Sequence, residues 1–282
     1  MGQAGKVTSI KVKGKSLADA AKERTTVAKT YKLYIGGKFV RSESGRHMRC
    51  VDSAGSFLAN VCRASRKDLR DAVKAAREAQ GAWSARSAYN RAQILYRLAE
   101  MLEGRSAQFI GEMVEFGFEQ DEAERAVRAS VDRLVYYAGW ADKYQQVFAT
   151  VNPVSSPHFN FSYLEPVGVV AAFANLSPSL LSCVTSVAPI ICGGNAAVII
   201  LGGDDQRVGL TFAEVAHSSD VPAGVINILS GDATELLPWV ASHMDINSVV
   251  CYGLDNGALA ELKREGSINL KRVVSLEIRD LY

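Results

Sequence analysis

The stretch "KRVVSLEIRDLY", Lys271 to Tyr282, sets one carboxylate, Glu277, within an apolar run of Val273, Val274, Leu276 and Ile278. The run reads as a buried strand. A carboxylate at the end of such a strand either works as a general base or stands as a structural acid, paired here with Arg279 or Lys271. Thiols are the other groups with reactive potential: Cys50, Cys62, Cys183, Cys192 and Cys251. They form an odd set without C-x-x-C spacing or nearby histidines, which points to reduced thiols rather than a disulfide frame or a zinc site. Each lies in a segment where a cysteine serves as a small core residue. His158, His217 and His243 share no spacing with one another or with a carboxylate, so they read as surface or satisfied core residues.

The elements that would position these groups need a sizeable core. A chain of 282 residues with 48% hydrophobic and 22% charged content can build one large or two ordinary domains. A formal net charge of +2 gives no reason to expect a nucleic-acid or membrane partner for the whole body. The positive excess is local: Lys6, Lys11, Lys13, Lys15, Lys22, Arg24 and Lys29 face only Asp19 and Glu23, so residues 1–30 read as a basic, flexible tail. That tail has no secretory apolar core, and no apolar stretch reaches membrane-spanning length, so a cytoplasmic protein is expected.

From Tyr31, "YKLYIGGKFVRSESG" alternates around Gly36-Gly37 and predicts a hairpin. Ser65 and Asp68 stand as a capping pair ahead of a helix with Leu69, Val73 and Ala76 on one face. A second helix carries Leu95, Leu98, Ala99 and Leu102, and a third runs from about Asp121 to Gln146. Beyond "VNPVSSP" the rhythm changes to short apolar runs, "GVVAAFA", "AAVIIL", "GVINILSG", "INSVVCYG" and "RVVSLEI", separated by helical segments. Strands alternating with helices predict an α/β fold, a doubly wound, mostly parallel sheet preceded by N-terminal helices. Ligands are then expected at the carboxyl ends of the strands.

Seven collinear blocks carry a resemblance: "LYIGGKFVRSESG", "AAREAQGAW", "EPVGVVAAF", "APIICGGNAAVI", "VPAGVINILSG", "ASHMDINSVVCYG" and "LKRVVSLEI". In order and spacing the chain resembles the aldehyde dehydrogenase superfamily from Tyr31 to Ile278. The resemblance implies a Rossmann-like NAD or NADP domain over residues 31–282, with a β-segment for oligomerisation around 147–166 and a separate catalytic domain further along. The family's chemistry is attack of a thiolate on the aldehyde, hydride transfer to nicotinamide, and hydrolysis of the thioester by Glu-activated water. In relatives the nucleophilic Cys follows the Glu by a few tens of residues, whereas five residues follow Glu277 here. The expectation is a truncated homologue without its catalytic domain, in which Glu277 is vestigial.

Other parts of the family pattern have changed. Ser177 stands where the oxyanion Asn is expected, and Asn175 lies two positions early. Ile200 and Gly203 replace the Lys and Glu that hold the adenosine ribose. Gly231 is kept, but Asp232 and Glu235 follow it, and carboxylates there would repel a pyrophosphate. Gly253 is kept, with Leu254 in place of a phosphate-facing Ser. The resulting expectation is a non-catalytic subunit in a homo- or hetero-oligomer with a full-length aldehyde dehydrogenase. The alternative is an NAD(P)-dependent aldehyde oxidoreductase completed by a thiolate from a partner chain.

Overall fold

Two glycines with positive φ, Gly36 at 58° and Gly37 at 76°, fold the first hairpin, because a two-residue turn matching strand twist needs that backbone region twice. The computed structural model describes residues 27–276, so most of the basic tail and Glu277 lie outside the described residues. The chain runs β1 (Thr30–Tyr31), β2 (Leu33–Ile35), β3 (Lys38–Val40), β4 (His47–Val51), β5 (Phe57–Cys62), α1 (Arg66–Ser84), α2 (Ala88–Glu103), α3 (Ser106–Phe116), α4 (Gln120–Trp140) and α5 (Tyr144–Phe148). A ribbon of β6 (Thr150–Asn152) and β7 (Asn160–Ser162) follows. Then come β8 (Val169–Ala174), α6 (Ser179–Cys192), β9 (Ala196–Leu201), α7 (Gln206–Ser218), β10 (Ile226–Ser230), α8 (Ala233–Ser242), β11 (Ser248–Tyr252), α9 (Asn256–Gly266), a 3-10 turn (Ser267–Asn269) and β12 (Arg272–Leu276).

The main sheet has the order β12-β11-β8-β9-β10-β2-β3. The five strands from β12 to β10 pair in parallel, and the β2–β3 hairpin closes the other side antiparallel. This is the doubly wound α/β fold. Every residue of β8 and β9 is buried, as expected of parallel strands covered on both faces. One face packs Leu33, Leu69, Val73, Ile200, Leu237 and Leu262 into a single apolar cluster. The opposite face packs the long helices α2 and α4 together with α6 and α7. The Ser65–Asp68 cap forms: the Asp68 carboxylate accepts from Ser65 N at 2.7 Å, and also from Ser42 Oγ and Glu43 N.

Two expectations need correction, and one feature is added. The third helix ends at Trp140, and Tyr144–Phe148 is a separate short helix. β1, β4 and β5 form a small second sheet that the sequence patterning did not announce. The closing apolar run is a strand but not a buried one: Val274 and Leu276 are 43% and 44% exposed. Among the described residues β12 lies at the sheet edge and pairs with β11 alone, so just Val273 turns into the core.

Lys271 immediately precedes that edge strand and is buried, donating from Nζ to His243 O at 2.7 Å and Ile246 O at 2.6 Å. It is therefore engaged with backbone carbonyls. Burial pulls its pKa from the ordinary 10.5 down to about 8. Between those two values Lys271 binds its proton more in the unfolded chain than in the folded one, so its own contribution to stability rises with pH from about 8 to 10. The thiols of Cys50, Cys183, Cys192 and Cys251, which burial raises from the ordinary 9.0, oppose that contribution from about pH 9, and the phenols of Tyr31 and Tyr252 oppose it above pH 10. Between about pH 8 and 10 the gap in urea midpoint between the parent chain and Lys271→Met should widen as pH rises, the variant being less stable throughout because two carbonyls lose their donor.

Candidate functional site

In a doubly wound sheet the natural crevice opens where the strand order reverses. Here it lies at β8, because the chain proceeds to β9 and β10 on one side and returns to β11 on the other. Asn175 is the first residue past β8, and its amide spans the crevice. Its Oδ1 accepts from Gly203 N at 2.9 Å in the turn after β9, while its Nδ2 donates to Gly253 O at 2.9 Å in the turn after β11. The turns are shaped around it: a Cβ on Gly202 would collide with Asn175 Oδ1, and one on Gly253 would meet Asn175 O at 3.0 Å. Gly253 also has φ of 68°, so a side chain there is opposed both by backbone conformation and by space.

The turn after β10 is closed in the same manner. Gln206 Oε1 accepts from Gly231 N at 2.7 Å, and Gln206 Nε2 donates to Gly231 O at 3.0 Å. The acids beyond Gly231 are not free charges. Arg63 donates to Glu235 at 2.8 Å and to Asp232 at 3.4 Å, and Arg46 donates to Glu235 at 2.6 Å. The hydrogen bond from Arg46 leads in holding the Glu235 carboxyl below its ordinary pKa, and Thr234 does the same for Asp232, which caps α8. The repulsion expected of two bare carboxylates is thus reduced by ion pairs from Arg46, just before β4, and Arg63, just after β5.

Ser177 is exposed and donates to Asp204 Oδ2, so its hydroxyl is directed at a carboxylate of the β9–α7 loop. Next along, Ser179 Oγ is buried without a hydrogen-bond partner among the described residues. Ile200 is fully buried in the cluster facing α1 and forms no wall of a cleft. Gly203 lies in the turn bound by Asn175, and Leu254 packs, half-buried, against the same cluster as Ile200. The structure thus gathers Ser177, Gly203 and Gly253 around Asn175, sets Gly231 under Gln206, and leaves Ile200 inside the core.

Below this edge Asp205 caps α7, and Arg207 folds back on it: Nε and Nη2 each donate to the Asp205 carboxylate at 2.9 Å. Arg207 also donates to Glu115 at 2.9 Å and to Glu112 O at 3.2 Å, which ties the loop carrying Gln206 to α3. Asn175, Gln206 and Arg207 were not singled out for these roles from sequence. The available signal was a polar residue directly after each of two apolar strands or their glycine turns.

The five thiols are unsuited to nucleophilic attack. Cys62, Cys183, Cys192 and Cys251 are buried and Cys50 is half-buried. Burial pushes Cys50 and Cys183 up to about 12, and Cys192 and Cys251 to about 11, so these four are protonated at neutral pH. Among the described residues no cluster of His, Cys, Asp and Glu is arranged to hold a metal ion. Nor is any described helix long and apolar enough to cross a membrane.

A family model described as the aldehyde dehydrogenase family matches residues 39–276. An aldehyde dehydrogenase from Davidiella tassiana is 30% identical over 244 residues, covering 86% of this chain and 49% of that protein. The cytosolic 10-formyltetrahydrofolate dehydrogenase of Mus musculus is 29% identical over 267 residues, covering 92% of this chain and 29% of that protein. Among solved structures, an NAD+ complex of the aldehyde dehydrogenase from Bacillus cereus aligns with a TM-score of 0.82 and 26% identity, over 88% of this chain and 50% of that one. The chain spans about half the length, or less, of these relatives.

Proposed function

The chain belongs to the aldehyde dehydrogenase family, and on that premise we propose that it is a non-catalytic member whose nucleotide-binding fold serves as a scaffold for a full-length aldehyde dehydrogenase. The observation that carries this reading is the bracing of the strand ends. A pyridine nucleotide needs free backbone donors at the glycine turns and polar side chains for its ribose. Gly203 N and Gly231 N already donate to Asn175 and Gln206. Ile200 offers a ribose no hydrogen bond, and one unpartnered hydroxyl at Ser179 cannot replace those contacts. The residues present do not fit NAD or NADP, and the raised thiols supply no nucleophile.

The ribbon of β6 and β7 supports the partner part of the proposal. Val151, Phe159, Phe161 and Tyr163 are exposed on it or at its ends, with the ring of Phe161 tilted against Phe159 and stacked on Tyr163. A two-stranded ribbon that buries so little is marginal alone, and one that meets another subunit gains the burial it lacks. Segment 147–166 is accordingly the proposed oligomer contact, in a homo- or hetero-oligomer.

Calorimetric titration of the purified chain with NAD+ and with NADP+ tests the cofactor part. No saturable heat is expected at ligand concentrations up to about 1 mM, and tight binding at the switch point overturns the reading in favour of an oxidoreductase completed by a partner's thiolate. Asn175→Ala, which removes two hydrogen bonds, is expected to lower stability by about 1–3 kcal/mol, read from a urea midpoint. Co-expression with a full-length aldehyde dehydrogenase from the same genome, followed by sizing, tests the partner. A Phe159→Ser/Phe161→Ser variant is expected to leave the complex.

A further inference from the structure

We propose that the cleft between the first turn of α1 and the last turn of α8 binds a small molecule that carries both a phosphate and an aromatic or heteroaromatic ring. The cleft encloses about 530 Å³ and is lined by Arg66, Lys67 and Arg70 on α1 and by Trp239, His243 and Met244 on the opposite wall. That volume suits a small organic ligand. Arg66 and Lys67 occupy the first two positions of α1, where the helix dipole disfavours cations. Placing them there opposes helix stability and concentrates positive potential at the mouth of the cleft.

The cations are available to an incoming anion. Arg66 makes no ion pair among the described residues and lies 4.2 Å over the indole of Trp239. Lys67 pairs with Glu43 at 2.6 Å and Arg70 with Asp71 at 2.8 Å, both in exposed contacts of the kind that contribute little and exchange readily. A phosphate dianion accepts from guanidinium groups with shorter and stronger hydrogen bonds than those surface pairs provide.

The opposite wall suits a ring. Trp239 is 38% and Met244 75% exposed, and both line the cleft with Leu69, so a flat group can lie against indole and thioether. The carbonyl end of α8 would repel an anion, but Lys271 neutralises it from behind by donating to His243 O. Burial lowers the His243 pKa, leaving a neutral imidazole whose Nδ1 accepts from Asp245 N. None of the lining residues takes part in the hydrogen bonds that brace the strand ends, so this site is independent of the proposed scaffold role.

The test is titration of the full chain with phenyl phosphate, AMP, inorganic phosphate and phenol, followed by tryptophan fluorescence and calorimetry. Phenyl phosphate or AMP is expected to saturate at least about tenfold more tightly than inorganic phosphate or phenol. Tighter binding of AMP assigns the site to nucleoside phosphates, and tighter binding of phenyl phosphate to simpler aryl phosphates. Arg66→Gln/Arg70→Gln is expected to weaken binding at least about tenfold with an unchanged melting temperature, and Trp239→Leu to remove the fluorescence response and the preference for a ring. Absence of saturation, equal affinity for inorganic phosphate, or unchanged affinity in the double variant overturns the proposal. NAD+ heat that vanishes in the double variant belongs to this cleft, whereas heat that persists belongs to the switch point and counts against the scaffold reading instead.

Discussion

Arg207→Met is expected to lower the unfolding free energy by about 3–5 kcal/mol, the loss characteristic of stranding one member of a buried ion pair. Arg207 and Asp205 are 2% and 1% exposed, and the Asp205 carboxylate receives both the Arg207 guanidinium and the Arg207 backbone N–H at 3.1 Å. Burial works against the guanidinium charge, yet Asp205 and then Glu115 outweigh it and hold the Arg207 pKa above its ordinary value. Removing Arg207 leaves a carboxylate in a dry site and frees Glu112 O and Glu115. The companion variant Asp205→Asn/Arg207→Met keeps a cap for α7 without the stranded charge, and is expected to recover a large part of the loss. Urea unfolding measures both. An Arg207→Met midpoint close to the parent's would show that water reaches this pair. The effect bears on function because Gln206, which holds Gly231, sits between the two charged residues.

Trp83→Ala carries the other large effect, about 3–5 kcal/mol for emptying the volume of a buried indole. Trp83 is 1% exposed near the end of α1, and its Nε1 donates to Ile191 O at 3.0 Å near the end of α6. It joins the helix on one side of the sheet to the helix bundle on the other, packing in the cluster that holds Leu95, Leu98 and Leu134. Arg91 reinforces the join by donating to Cys192 O at 3.1 Å. Trp83→Phe separates the two contributions: it keeps most of the apolar volume and loses the hydrogen bond, for an expected cost of about 1–2 kcal/mol. Thermal melts report both variants, and equal losses in the two would place the energy in the hydrogen bond rather than in packing.

The two predictions share a reason. Both side chains couple elements far apart in sequence, and neither lies in a stretch whose local pattern singles it out. The cleft between α1 and α8 has the same origin, since Arg66 and Trp239 are separated by most of the chain and meet only because both helices cover one face of the sheet.

The features legible along the chain are local and periodic. Alternation and the Gly36-Gly37 pair specified the first hairpin, Ser65 with Asp68 specified the start of α1, and continuous apolar runs specified β8 to β11. These follow from backbone geometry and burial, which act over a few residues. The same patterning failed at β12, because an apolar run records a preference for burial and not the presence of a neighbour to provide it. The state of the strand ends, by contrast, follows from how the chain is folded. Asp232 and Glu235 look like bare acids in sequence and are ion-paired in space, while Asn175 looks misplaced for catalysis and instead bridges two turns, 28 and 78 residues away. Hydrogen bonds and ion pairs of that span depend on where the sheet brings the turns, and no periodicity along the chain encodes their geometry.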